Sequence, residues 1–315
     1  MRLRAAILLA CTLVVLVGCG GDGEEAPNGA GLPRAGGGGE LSYALPSLPA
    51  TRDPLAAEGR AATTVVRQLY EPLIERLVGP YGQTGPEAGL ALSARPTRDR
   101  SVWSVTLRSG VRFQDGTPFN AAAVLANARR WQTDPTGQEL LPDVFAVDAP
   151  TPDEVRFLLD RPVPDLGTRL ADPRLGIVSP RALDPESGED ARFRESVAGS
   201  GTGPFQPGPE GPGRLALSRF AGWWGSPLGL GPAFDGVTFV VVPKPAQRLR
   251  MLQDGSIQVA DRLGRAGLRA AETDPLLVTV GGPLTGIGME GSVRGINSGR
   301  FVPVLSGVWL TRLRG

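Results

Sequence analysis

Hydrophobic and polar positions recur with recognisable periods along most of the chain. Between Ser101 and Leu107, the residues Trp103, Val105 and Leu107 alternate with Val102, Ser104 and Thr106. This period of two residues predicts a strand that is buried on one face. Apolar runs and turn residues predict further strands over 41–48, 110–113, 155–159, 214–220, 237–242, 257–260 and 301–313, the last of which we expect to close a sheet.

Helical spacing appears in three places. Apolar residues recur every three or four positions over 61–77, where Pro72 predicts that the helix breaks near Tyr70. Asn120, which follows an Asp-Gly-Thr-Pro turn, is a suitable N-cap for a helix over 121–131. A third helix is expected over 246–254, ended by the glycine that follows. Strands mixed with helices in this order predict an α/β chain of mixed α+β character.

The first residues have the pattern of an export signal. Arg2 and Arg4 precede an apolar run over 5–17, which is shorter than the roughly 20 residues that span a bilayer. The run ends in Leu-Val-Gly-Cys, a match to the lipobox at which a bacterial peptidase cuts before a cysteine that carries lipid. We therefore predict a signal peptide over 1–18 and a lipid anchor on Cys19, with an uncleaved anchor as the alternative.

Residues 19–39 are dominated by Gly, Pro and Ala, which bury too little apolar surface to offset chain entropy. This stretch is expected to be a flexible tether. The only other cysteine, Cys11, would be removed with the signal peptide. A mature chain cut before Cys19 would therefore contain no disulfide, although its compartment permits one.

Charge and composition exclude several classes of function. The chain has 33 basic and 32 acidic residues without a basic stripe, so we expect no nucleic-acid partner. It has no histidine, which excludes a Ser-His-Asp or Cys-His nucleophile and a histidine-ligated metal. Acids such as Asp115, Asp143 and Asp153 are scattered in the sequence. We therefore predict no catalytic residues, no metal site, no cofactor and no enzymatic activity.

Six stretches, taken in order, resemble the extracytoplasmic solute-binding proteins of family 5, the peptide- and nickel-type receptors of ABC importers. Together they cover roughly 41–261. They are LYEPL from Leu69, WSVTLRSGVRFQDGTPFNAAAV from Trp103, VDAPTPDEVRFLLDRPVP from Val147, GTGPF from Gly201, LALSRFAGWWG ending at Gly225, and FDGVTFVVVPKPAQRLRMLQDGSIQVAD ending at Asp261.

The resemblance implies a periplasmic-binding-protein-like class II scaffold. Residues 40–60 and 199–315 would form the main lobe, and 61–198 an inserted α+β subdomain. Gly201, Thr202 and Gly203 would lie where the chain crosses between lobes, as a hinge. Only 54 residues follow Asp261, so we expect the distal C-terminal lobe, which in the family carries most of the residues that grip a peptide's amino terminus, to be largely missing from this sequence.

The resemblance also implies a function and partners. We expect a lipid-anchored receptor on the extracytoplasmic face of the membrane, which binds a peptide or similar solute and serves an ABC permease. The candidate ligand contacts are Tyr43, Trp223 and Trp224; the two tryptophans could instead pack in the core. The alternative is a degenerate scaffold that acts as a sensor or protein-interaction lipoprotein without transport.

Overall fold

The computed structural model describes residues 39–78, 84–184, 199–228, 232, 234–274, 277–280, 291–294, 301–303 and 310–312. The predicted signal peptide and Cys19 lie outside the described residues, and the predicted tether does so except for its last residue, Gly39. All of the described residues belong to one compact unit. No helix among them is long and apolar enough to cross a membrane.

The described residues contain fifteen strands and seven α-helices, besides short 3-10 turns. The strands are β1 (Glu40–Leu45), β2 (Ile74–Val78), β3 (Thr84–Ala88), β4 (Ala91–Pro96), β5 (Val102–Leu107), β6 (Val144–Thr151), β7 (Glu154–Leu159), β8 (Phe205–Gly211), β9 (Arg214–Arg219), β10 (Gly236–Val241), β11 (Val259–Asp261), β12 (Leu277–Val280), β13 (Gly291–Arg294), β14 (Phe301–Pro303) and β15 (Leu310–Arg312). The helices are α1 (Gly59–Leu69), α2 (Ala121–Thr133), α3 (Pro135–Leu140), α4 (Leu166–Arg169), α5 (Pro180–Leu183), α6 (Pro245–Gln253) and α7 (Gly264–Thr273).

A seven-stranded sheet has the order β12-β13-β11-β1-β10-β9-β8. Its central strand β1 pairs in parallel with both β10 and β11, and the outer pairs are antiparallel. Leu41, Tyr43 and Leu45 point to the face covered by α1, whereas Ala44 points to the opposite face, where it packs with apolar residues of α6 and α7. The alternation of β1 therefore contributes to cores on both faces of the sheet.

A second, four-stranded antiparallel sheet has the order β4-β5-β7-β6. As its alternation predicts, β5 buries Trp103, Val105 and Leu107, which share a core with Trp131 of α2. The Asn120 side chain accepts a hydrogen bond from the backbone N–H of Ala123 and caps α2. These local predictions are confirmed, as is the mixed α/β fold class.

Two predicted strands differ from the structure. Over 110–113, only an isolated bridge between Arg112 and Pro118 forms, because the chain turns at once and the N–H of Phe113 bonds to the carbonyl of Thr117. The expected final strand is two short strands, β14 and β15, which pair with each other and not with the large sheet. Pairing of neighbouring segments closes a shorter loop and costs less chain entropy.

Candidate functional site

The carboxyl ends of β1, β10 and β11 meet at one edge of the large sheet because these three strands are parallel. Open α/β sheets bind ligands at such an edge. The chain leaves β1 there and returns into α1 through Gly59, which has a φ of +73°. A side chain at this position would be strained, so glycine suits this tight entry into the helix.

A polar cleft of about 490 Å³ opens beside this entry. One wall is the loop before α1 with the first turns of that helix, and the other is formed by α3 and the turn at 172–174. Arg174 donates to both carboxylate oxygens of Asp172, at 3.1 and 3.0 Å. The exposed carboxylates of Glu58 and Glu139 face the cleft without a hydrogen-bond or ion-pair partner among the described residues. The cleft is therefore a charged, water-accessible groove.

Buried polar groups lie next to the cleft. Arg60 lines the cleft, and its Nε lies 3.9 Å from Oδ1 of Asp261, a residue that is 1% exposed at the end of β11. Burial raises the pKa of Asp261, and burial together with the charge of Asp261 raises the pKa of Tyr43. These groups place charge at the carboxyl edge of the sheet.

Arg248 of α6 joins the ends of two of the parallel strands. Its guanidinium is buried and donates to the carbonyls of Pro243 and Asp261, at 2.9 and 2.8 Å. It also donates to the carbonyls of Val242 and Arg262. One side chain therefore holds together the segments that follow β10 and β11.

A second polar cluster lies at the other end of α1, about 16 Å away by the rise of an 11-residue helix. The carboxyl group of Glu71 is buried there and accepts from the indole N–H of Trp223 at 3.3 Å and of Trp224 at 2.9 and 3.1 Å. Burial, and then the charge of Glu75, raises the pKa of Glu71 to about 8. This acid is therefore mostly protonated at neutral pH.

The predicted hinge segment passes the same end of α1. The N–H of Gly203 donates to the carbonyl of Leu69 at 2.9 Å, and Gln114 donates from its backbone to Gly201. The Gln114 side-chain amide lies within hydrogen-bond distance of the carbonyls of Leu69, Gly203 and Phe205. A Cβ at Gly201 or Gly203 would overlap the backbone of α1. These two glycines allow a close approach; a hinge role for Gly201, Thr202 and Gly203 stays a prediction.

The structure brings some of the predicted site residues together and separates others. Trp223 and Trp224 both donate hydrogen bonds to Glu71, beside the segment that contains Thr202. Tyr43 lies in the core between the sheet and α1, where it is 2% exposed. Trp223 is 1% exposed and Trp224 is half-buried. Ligand contact by these three residues stays a prediction, and the two tryptophans lie at the opposite end of α1 from the cleft.

Sequence reasoning did not select Glu71 or the charged cleft residues. Glu71 carries one available signal, since an acid directly follows the apolar end of a helix and precedes a proline. Glu58, Arg60 and Glu139 lie far apart or among ordinary surface charges, so the sequence offers no comparable signal for them. Among the described residues, no group of His, Cys, Asp and Glu could hold a metal ion.

Comparison with known proteins places this fold. Residues 85–297 match the sequence profile of the bacterial extracellular solute-binding proteins, family 5 (middle). Over 68% of its length, the chain is 28% identical to the probable D,D-dipeptide-binding periplasmic protein DdpA of Escherichia coli K12. Over 70% of its length, it is 31% identical to the glutathione-binding protein GsiB of Escherichia coli O1:K1. The chain spans 42% of the length of each relative.

A solved structure has the same fold. The ABC transporter-associated periplasmic binding protein DppA of Helicobacter pylori, in complex with the peptide STSA, superposes with a TM-score of 0.68 at 20% identity. The superposition covers 78% of this chain and 51% of the other, and at this identity it speaks for the fold alone. With the sequence match over 85–297, it leads to one conclusion: the chain belongs to the family 5 bacterial extracellular solute-binding proteins.

Proposed function

We propose that this chain is a lipid-anchored, extracytoplasmic receptor that binds a peptide or similar small solute and serves an ABC permease. The family supports the general role, because its members bind solutes outside the cytoplasm. The names of two relatives support the ligand class, since a D,D-dipeptide and glutathione are both small peptides. No catalytic or cofactor-dependent step is part of this proposal.

The cleft at the carboxyl edge of the large sheet is the observation that carries the proposal. It has the position that ligands take in open α/β sheets, and its volume of about 490 Å³ is in the range of small-molecule sites. Its walls offer both signs of charge, from Glu58 and Glu139 on one hand and Arg60 on the other. A solute with an amine and a carboxylate, such as a short peptide, matches these groups.

The anchor and the tether belong to the same proposal. Lipid on Cys19 and a flexible segment over 19–39 would keep the cleft within reach of a permease in the same membrane. A mature bacterial lipoprotein carries more than one acyl chain, which is what stable anchoring requires.

Thermal stability in the presence of peptides tests the proposed function. The purified full chain in detergent is melted with and without pools of di- to hexapeptides. A ligand at a hundredfold excess over its Kd should stabilise the native chain by about 2.7 kcal/mol. The variant Arg60→Gln, which alters the cleft, should lose this shift, whereas Arg214→Gln on the exposed surface of β9 should keep it.

The alternative function, a sensor or protein-interaction lipoprotein, predicts no thermal shift with peptides. Phe145 is 59% exposed beside a groove formed by α2, α3 and β6, and a protein-interaction lipoprotein would offer such an exposed aromatic side chain. The absence of a shift with every pool would contradict the receptor proposal and favour a sensor or interaction role.

A further inference from the structure

Arg108, directly after β5, is a half-buried cation in a fixed position. Its Nε donates to the carbonyl of Gly89 at 3.0 Å, and its guanidinium carbon lies 4.0 Å from the ring centroid of Trp224. Stacking on an indole and one hydrogen bond restrict the rotation of the long side chain. The two terminal nitrogens, Nη1 and Nη2, make no hydrogen bond among the described residues and remain available.

The indole of Trp224, on which Arg108 lies, is itself held in place by hydrogen bonds to a buried acid. Both carboxyl oxygens of Glu71 accept from Nε1 of Trp224, and Trp223 donates to the same carboxyl group. Trp223 and Glu71 are each 1% exposed, so the support of the stack is part of the packed interior. The guanidinium plane is therefore presented on a rigid base, which lowers the entropy lost when a ligand binds.

The charge of Arg108 is only weakly compensated among the residues that the structure describes. Arg108 has no ion-pair partner within the described part of the chain. Glu71, the acid whose charge raises the pKa of Arg108, itself has a pKa of about 8 and is mostly neutral at pH 7. Partial burial lowers the pKa of Arg108 by more than the charge of Glu71 raises it, as expected for a cation that has lost water and gained little opposite charge. A partly desolvated cation of this kind is stabilised by an added counter-ion.

We propose that Arg108, stacked on Trp224, is an oxyanion-binding site that receives a carboxylate or phosphate group on Nη1 and Nη2. A planar guanidinium with two free N–H groups side by side matches two oxygens of either group. The site is separate from the cleft, since Trp224 and Glu71 lie at the opposite end of α1, and it does not depend on the proposed receptor function. Stacking leaves the hydrogen-bonding edge of the guanidinium free for the anion.

Tryptophan fluorescence of the purified full chain tests the site, because a bound anion would change the surroundings of Trp224. Sodium acetate and sodium phosphate are titrated in turn against sodium chloride at constant ionic strength. A saturable change is expected for wild type with at least one of the two anions, and the tighter anion identifies the group that the site prefers. Arg108→Gln should abolish the change.

Two further variants separate the site from general effects of charge. Arg108→Lys keeps the charge without the planar fork and should bind about tenfold more weakly, the size of one charge-assisted hydrogen bond. Arg214→Gln removes an exposed cation elsewhere and should titrate as wild type does. A wild-type chain without a saturable response to either anion would overturn the proposal, as would a response that survives in Arg108→Gln. If Arg108→Gln does not fold, an unchanged affinity in Arg108→Lys would overturn it equally.

Discussion

At the scale of single residues, Glu71 is an acid whose environment differs strongly from water. It lies between α1 and β2, its backbone carbonyl accepts from the N–H of Ile177, and its side chain accepts from two indoles. The indole hydrogen bonds favour the charged form, but burial and the neighbouring Glu75 outweigh them. The native protein therefore holds a proton on Glu71 at pH values where an unfolded chain would release it.

Replacement of Glu71 by Gln should remove a pH dependence of stability. The pKa of Glu71 rises from its usual 4.5 to about 8 on folding. Its contribution to the free energy of unfolding is full below pH 4.5 and is lost as the pH rises to about 8, because only the native chain keeps the proton in this window. Urea denaturation from pH 4 to 9 should show wild type losing stability relative to Glu71→Gln across that window.

Glu58→Gln is the matched control, because Glu58 is an exposed acid without a partner among the described residues. Its stability curve should run parallel to that of wild type. A constant difference between wild type and Glu71→Gln over the whole pH range would contradict the raised pKa.

At the scale of elements, the backbone of the segment before β8 packs directly against the backbone at the end of α1. Gly203 donates to Leu69, and Gln114 bridges carbonyls on both segments. A shift of one segment against the other therefore requires the Gly203–Leu69 backbone hydrogen bond and the Gln114 side-chain bridge to break together.

An added methyl group should show how tight this contact is. The Cβ of Gly203→Ala would lie 2.5 Å from the carbonyl oxygen of Gln68, closer than atoms approach in proteins. We expect a loss of about 1–3 kcal/mol in the free energy of unfolding, the usual cost of overpacking. Gly211→Ala adds the same methyl at the end of β8, where nothing lies within 4 Å, and should change stability little. Equal urea midpoints for the two variants would contradict the close packing.

Elements were predictable where a few neighbouring residues decide the structure. The alternation around Trp103 and the Asn120 cap act within one strand or one helical turn, and both have the expected structure. The meeting of Glu71 with Arg108 and Trp224 was not predictable, because these residues are distant in sequence and meet only through tertiary packing. The pairing of β14 with β15 was missed because apolar runs do not specify which strand is the partner.

At the scale of the whole molecule, the receptor proposal combines two parts, a ligand-binding cleft and a lipid anchor. The cleft is formed by the folded unit, and the proposed anchor depends on one thiol near the N-terminus, that of Cys19. The two parts should be separable, because the described residues that line the cleft lie between Leu55 and Arg174, far along the chain from Cys19.

Cys19→Ala should abolish lipid attachment without affecting peptide binding. Loss of the thiol removes the acyl chains, each of which contributes about 0.8 kcal/mol per buried CH2 group. After detergent phase partition of cells labelled with a fatty acid, we expect labelled wild type in the detergent phase and unlabelled Cys19→Ala chains, whichever phase these enter. Cys11→Ala, a change within the predicted signal peptide, should partition as wild type does. Lipid labelling that persists in Cys19→Ala would contradict the predicted anchor.

The position of β1 in the large sheet has a consequence for the order of folding. β1 is the first strand among the described residues, yet its two neighbours in the sheet begin at Gly236 and Val259. In a chain that is made from its N-terminus, the centre of this sheet has no partner until most of the sequence is available. Such distant pairing folds slowly, so we expect the core to close late, which would favour export of the chain before it folds.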